Sequence, residues 1–299
     1  MTQEFGWRPA LLALAVVAVW GVNFAVIKVA LGELPPLLFA ALRFTFAVFP
    51  LILFVKRPAV RWCQLARYGL FIGLGQFGLL FIAVDGLISP GLASLLLQVQ
   101  VFFTIGMVMR GTGERLAGVQ WIALAMAAAG IGIIIAHVGG STTILGVGLC
   151  LTAAFCWASA NIVNRSIGQV NMLGFIVWSS VFAVPPLYAL AFAFEGSDRI
   201  VAALGHAGPG AWAAVAYQAV GNTMFGYGAW GWLLARYPAS AVAPMSLLVP
   251  VFGMGTAAAW LGEPLEPWKL AAAALIIGGL AVNLLGPKVF RRLSAAPEG

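Results

Sequence analysis

The sequence predicts an all-α polytopic membrane protein: ten transmembrane helices forming two inverted five-helix repeats, with both termini cytoplasmic. Three observations predict it. Of 299 residues, 62% are hydrophobic and only 8% charged. Soluble domains carry roughly 25% charged residues, so this chain cannot hide its apolar surface in water. Apolar stretches of about 20 residues recur along it, enough to cross ~30 Å of hydrocarbon at ~1.5 Å per residue. They are continuous, unlike the short alternating segments of a membrane β-barrel.

In chain order the spans fall near 10–31, 36–55, 66–86, 89–109, 116–137, 143–163, 172–194, 211–232, 238–260 and 268–287. The first sits where a signal peptide would, but its length of about 20 residues and its internal counterpart make it a mature helix. Connections are short, and none is large enough to be a soluble domain. The longest, Glu195 to Gly210, has room for a brief surface helix. The cysteines, Cys63, Cys150 and Cys156, are odd in number and form no disulfide or metal framework.

Lys and Arg placement sets the orientation. With the N-terminus inside, the inner ends hold Arg8, Lys56, Arg57, Arg61, Arg67, Arg110, Arg115, Arg165, Arg236, Lys288, Arg291 and Arg292. The outer ends hold Lys28, Arg199 and Lys269, while Arg43 lies within span 2. Twelve against three is a strong positive-inside pattern. It also accounts for the net charge of +7 without invoking a nucleic-acid partner.

The two halves resemble each other. FAVFPL at 46–51 is echoed by FAVPPL at 182–187, and Trp20 precedes Lys28 by eight residues as Trp157 precedes Arg165. Gly73, Gly78 and Pro90 match Gly221, Gly226 and Pro238 at a shift of 148. After a one-residue slip, Phe103, Gly113 and Glu114 match Phe252, Gly262 and Glu263. The repeats are 10–137 and 143–287. Five spans is an odd number, so the second repeat enters the membrane from the opposite side. Inverted repeats commonly serve alternating access around a midplane site.

Enzyme readings find little support. His137 and His206 both fall at the outer surface, no metal-ligand spacing occurs, and no cofactor is implied. None of the nine carboxylates, Glu4, Glu33, Asp85, Glu114, Glu195, Asp198, Glu263, Glu266 and Glu298, sits in the middle of a span. That excludes paired membrane carboxylates for hydrolysis and weakens a proton-coupled mechanism built on one.

The spans do contain uncharged polar and aromatic groups. With Trp20 at the origin of a helical wheel, Asn23 falls at about −60° and Lys28 at about +80°. With Trp157 at the origin, Asn161 falls at about +40°, Asn164 at about −20° and Arg165 at about +80°. In each helix the polar groups share a sector with the Trp. Asn23 reads equally as interhelical glue or as a pathway group. Lys28 reads first as a headgroup anchor, paired with Glu33 or Asp85, and second as an outer-gate cation. Trp20 sits mid-span, away from the interfaces where anchoring Trp collects. It packs in the core or faces substrate.

Arg43 lies about seven residues, or ~10 Å, inside span 2. A central charge must face protein or water, paired with a carbonyl or with Asp85, in a structural or a functional role. Gln98 and Gln100 are about 200° apart on a helix, so they cannot both face one cavity. Gln76, Asn222, Tyr227 and Ser246 are further lining candidates. Pro50, Pro185, Pro186, Pro244 and Pro250 should bend spans 2, 7 and 9, as gating helices require. Spans 5 and 10 are rich in Ala and Gly and read as scaffold, or as a dimer surface. Gly69 and Gly73 form a GxxxG of the same kind.

With these features the chain resembles the EamA family of the drug/metabolite transporter superfamily along nearly its whole length. The resemblance rests on WGVNFAVIK (20–28), PPLLFAALRFTFA (35–47), LLLQVQVFF (95–103), GERL (113–116), MSLLVPVFG and LGEPL. It is most similar to bacterial inner-membrane exporters of aromatic amino acids. The resemblance implies a central cavity of spans 1, 3, 4, 6, 8 and 9, with efflux of amino acids and related small metabolites by alternating access. Many relatives carry a proline after the LQ pair of span 4, where this chain has Val101, which speaks against symmetric bending of spans 4 and 9. Relatives that exchange cationic drugs for protons use a glutamate in the first helix, which span 1 lacks. The rival readings are a multidrug or nucleotide-sugar carrier of the same superfamily, or a membrane scaffold or enzyme. The expected partners are a small-molecule substrate and the lipid bilayer, with the protein monomeric or homodimeric.

Overall fold

The computed structural model describes residues 5–112, 118–168 and 170–293. The GERL stretch, with Glu114 and Arg115, lies outside the described residues, as do Glu4 and Glu298. Apart from a single antiparallel bridge, Gly139 to Thr142, the regular structure of the described residues is helical. Nine helices among them are long and apolar enough to cross a membrane. They are α1 (Trp7–Ala30), α2 (Pro36–Leu53), α3 (Trp62–Val84), α4 (Pro90–Gly111), α5 (Gly118–Ala136), α6 (Ile144–Ser166), α7 (Met172–Phe194), α9 (Ala243–Leu261) and α10 (Pro267–Gly286). A further helical run, α8, covers 209–236 and is more polar, carrying Gln218, Asn222 and Thr223 on its buried side. A short helix, Ser197–His206, occupies the longest connection.

Six helices depart from regular α geometry. α3 widens to a π-helix over Leu70–Gly78, and α8 does so over Tyr217–Tyr227. α4 tightens to a 3-10 turn at Leu97–Val99, and α9 over Ala243–Leu248. Pro244 opens the 3-10 segment of α9, and Pro250 sits in the first turn of the α-helix that follows. Val101 in place of proline pointed away from a matching distortion in α4. The backbone tightens there all the same, because 3-10 bonding needs no missing N–H. α7 is interrupted after Ser180 and restarts at Val184, with Pro185 and Pro186 in its new first turn, where their absent N–H groups cost nothing. α2 stops as regular helix at Val48, and Pro50 precedes its terminal 3-10 turn.

The bundle has a basic and an acidic end. The six described carboxylates, Glu33, Asp85, Glu195, Asp198, Glu263 and Glu266, all lie in or beside the connections at one end. Three of them hold neighbouring helix starts, where orphan N–H groups favour an anion. Glu195, at the end of α7, accepts from the Leu37 and Leu38 amides at the start of α2. Glu263, just past α9, accepts from Ser89 Oγ and from the Gly91 amide at 3.0 Å, at the start of α4. Glu33 accepts from the Gly208 amide at the start of α8. Gly262 makes the second of these possible. Its left-handed φ of 68° ends α9 and turns the chain back toward α4.

Burial follows the same polarity. α2 from Pro36 to Phe44 and α4 from Pro90 to Val99 are buried at every residue, whereas no residue of α4 from Gln100 to Gly111 is. Close approach locks the acidic half. A Cβ on Gly253 of α9 would stand 2.5 Å from Ser94 Oγ of α4, and one on Gly21 of α1 would stand 2.4 Å from Phe252 Cβ. α5 and α10 pack along each other through small residues: a Cβ on Gly279 would meet the Ala123 carbonyl at 2.7 Å. Glycine there lets backbones touch where lipid offers no hydrophobic drive.

Candidate functional site

Two polar networks cross the bundle interior. The first joins α1, α2 and α8. Trp20 is half-buried, and its Nε1 donates to the Asn222 carbonyl at 3.3 Å. Its ring lies 5.5 Å from Tyr227 and 5.3 Å from Trp230. Gly226 admits the indole, since a Cβ there would stand 2.3 Å from Nε1. Both Asn222 and Gly226 belong to the π segment of α8, a geometry that recurs at functional sites.

Asn222 Nδ2 donates to Gln218 Oε1 at 3.1 Å, and the same oxygen accepts from Arg43 Nη1 at 2.8 Å. Arg43 is fully buried. Its partners are neither a backbone carbonyl nor Asp85. They are Gln218, the Thr223 hydroxyl at 3.4 Å, and the face of Phe77, 3.4 Å below the guanidinium carbon. The stack supplies cation–π attraction to a guanidinium shielded from bulk solvent. Asn23 and Gln76 are buried nearby in sequence terms, on α1 and α3. The Asn23 Oδ1, Gln76 Oε1 and Gln218 Nε2 atoms find no hydrogen-bond partner among the described residues. Buried polar atoms without partners are costly and uncommon, and at a ligand site they are the atoms left for the ligand.

The second network joins α4 and α6. Asn161 Nδ2 donates to Gln100 Oε1 at 2.8 Å and lies 3.3 Å from Thr104 Oγ1. Gln100 is half-buried and turned to α6, while Gln98 is buried on another side, as their angular separation requires. Trp157 and Asn164 are half-buried on α6. Ser246 is half-buried on α9, with its hydroxyl donating back to the Ala243 carbonyl. No hydrogen bond among the described residues joins the two networks.

Lys28 stands apart from both. Its Nζ reaches the Val84 carbonyl at 3.3 Å, in the last turn of α3, and pairs with neither Glu33 nor Asp85. A cation at a helix C-terminus satisfies an orphan carbonyl and the helix dipole together. The cation that does pair with carboxylates is Lys269, 3.3 Å from Glu263 and 3.5 Å from Glu266.

Sequence reasoning missed Gln218, Thr223 and Trp230. Gln218 lies four residues before Asn222 on an otherwise apolar face, the spacing at which helical side chains meet. That pair was the available signal.

The family model for the EamA-like transporter family matches residues 7–136 and again residues 144–285. The chain belongs to the EamA-like transporter family. A relative from Salmonella typhimurium, described as a probable amino-acid metabolite efflux pump, is 43% identical over 95% of this chain and 97% of its own length. One with the same description from Escherichia coli K12 is 41% identical over 93% and 95%. A solved structure at 20% identity superposes with a TM-score of 0.62 over 96% of this chain and 99% of its own, a likeness of fold alone. The interior of this EamA-like transporter thus carries buried amides with free oxygens and, where α1 meets α8, indole and phenol rings tilted 53° to one another. They offer acceptors to a protonated amine and flat apolar faces to a side chain. Among the described residues no group of His, Cys, Asp and Glu is placed to hold a metal ion.

Proposed function

We propose that this protein exports amino acids and related small metabolites across the bacterial inner membrane, aromatic and other hydrophobic side chains being favoured. The observation that carries the substrate preference is the Trp20–Tyr227–Trp230 cluster beside unsatisfied amide groups. The relatives described as amino-acid metabolite efflux pumps support the same class. Within this reading α8 is the tenth span, and the repeats are 10–137 and 143–287. The paired π segments of α3 and α8, and the paired 3-10 turns of α4 and α9, support two copies of one plan. So does a family model that matches the chain twice. The basic end faces the cytoplasm and holds both termini, by the positive-inside bias.

Transport runs by alternating access. The acidic end, sealed by Glu33, Glu195 and Glu263 on three helix starts, is the closed outer gate in this conformation. The looser half beyond Gln100 is the inner mouth. Substrate enters there, displaces water from Asn23, Gln76, Asn161 and Gln100, and lays its side chain against Trp20. Trp157, Asn164, Asn222, Tyr227 and Ser246 complete the pathway, and the breaks near Pro50, Pro186, Pro244 and Pro250 let helices bend as the gates exchange.

Purified protein in liposomes tests this directly. Labelled phenylalanine or leucine should move faster than in empty liposomes, and Trp20→Ala should slow it. Uptake of cationic dyes with no amino-acid flux would assign the protein to multidrug transport instead.

A further inference from the structure

A groove of about 510 Å³ runs between α3 and α7 in the acidic half of the bundle, with the start of α2 behind it. Buried Leu37 and Gly78 make its floor, and half-buried Leu74, Ile82 and Leu190 make its sides. Glu195 closes one end and is the one charged residue of its walls. The volume falls within the ~300–1,000 Å³ of sites that hold small molecules. Phe194, at the rim, is exposed at the end of an apolar span, so the groove opens toward lipid.

Apart from the Glu195 carboxylate the walls belong to apolar residues, so water finds few partners along them. From Leu74 to Ile82 the α3 wall covers about 12 Å at ~1.5 Å per residue. One leaflet of a ~30 Å hydrocarbon core is ~15 Å deep, so the groove has the depth of a leaflet. Charge collects at the Glu195 end. That carboxylate accepts from the Leu37 and Leu38 amides, which leaves lone pairs free for a further donor. Arg199 and Asp85 are close enough to act on its charge, in opposite senses. Both are exposed, and the salt bridges of the described residues engage neither. Two carboxylates beside one guanidinium suit a headgroup carrying an ammonium and a phosphate. They repel a fatty-acid carboxylate, which brings no cation.

We infer that this groove binds one phospholipid of the phosphatidylethanolamine type from the leaflet at the acidic end. One acyl chain lies along Leu74, Ile82 and Leu190, the ammonium meets Asp85 and Glu195, and the phosphate meets Arg199. Apart from Glu195, which also caps α2, the groove shares no residue with the proposed pathway and gates. The lipid site therefore does not depend on what the protein transports.

The test uses purified full-length protein in nanodiscs holding equal amounts of phosphatidylethanolamine and phosphatidylglycerol. Native mass spectrometry should show one phospholipid retained, phosphatidylethanolamine over phosphatidylglycerol by about tenfold. Electron microscopy of the same particles should show chain density between α3 and α7. Leu190→Trp fills the groove and should lose the retained lipid. Asp85→Asn and Arg199→Gln change exposed side chains and should each cut the preference to about threefold or less. If Leu190→Trp does not fold, these two variants and the density of the unaltered protein still decide. Equal retention by Leu190→Trp and the unaltered protein would assign the lipid to the general shell around the bundle and overturn the inference. Equal retention of the two lipids, unmoved by Asp85→Asn and Arg199→Gln, would overturn it too, since the headgroup would then go unread.

Discussion

Glu263 and Gly91 join the end of α9 to the start of α4, the carboxylate accepting the amide at 3.0 Å. The same carboxylate holds Lys269, itself almost wholly buried. Helix start, carboxylate and ammonium therefore form one unit. Truncating its centre leaves a buried cation and two unsatisfied donors.

Glu263→Ala should destabilise the protein by about 2–4 kcal/mol, since Ser89 and Gly91 lose their acceptor and the buried Lys269 keeps only the more exposed Glu266 as a counter-charge. Glu263→Ala combined with Lys269→Met should recover part of that loss. Chemical or thermal denaturation of the four proteins measures it. If the double variant is no better than Glu263→Ala, the lysine is not the stranded group.

Closure of α4 on α9 depends on Gly253, whose missing Cβ leaves space for Ser94 Oγ. Gly253→Ala should cost about 1–3 kcal/mol by overpacking. Gly253→Ala with Ser94→Gly should be milder than the sum of the two single changes, because the clash is between these atoms alone. Strict additivity in a double-mutant cycle would place the strain elsewhere.

Gly226→Ala should displace the Trp20 indole from α8, because the new methyl would overlap Nε1. If Trp20 contacts substrate, this variant should mimic Trp20→Ala and lower kcat/KM for an aromatic amino acid by about tenfold, roughly 1.4 kcal/mol of transition-state contact. Trp20→Phe should retain more activity than Trp20→Ala. Normal flux in Gly226→Ala, with the indole shown to have moved, would remove Trp20 from the pathway.

Glu195 carries a pH dependence. Burial raises its carboxyl above the ordinary value of 4.5, and the Leu37 and Leu38 amides only partly offset that. A raised folded-state value means that the native protein holds this proton more tightly than the unfolded chain does. The contribution is therefore complete below about pH 4.5 and fades as pH rises through the folded-state value. Glu195→Gln should flatten that part of the stability profile. An identical profile in the variant would assign the slope to another group.

The positions of the helices were legible because lipid imposes a length and a composition on each. Span 1, read as 10–31, is Trp7–Ala30 in the structure. Trp20, Arg43, Asn222 and Tyr227 stood out as polar or aromatic interruptions of apolar helix, and the structure sets all four around α8. Their partners were not legible. Nothing local marks Gln218 as the group that accepts from Arg43, 175 residues away. π-Helical segments have no composition of their own, so those of α3 and α8 could not be read from residue types. The six described carboxylates lie outside the spans, as their sequence positions indicated. Their work as caps on distant helix starts is invisible until the chain has folded.

The packing of α5 against α10 has a consequence for how the molecule can be dissected. These two helices end opposite halves of the chain and meet along ridges of glycine and alanine. A bilayer holds separate helical fragments stably until such surfaces find each other. A gene divided between the codons for Val138 and Thr142 should therefore yield two polypeptides that reassemble in one membrane, each exchangeable for an altered copy of itself.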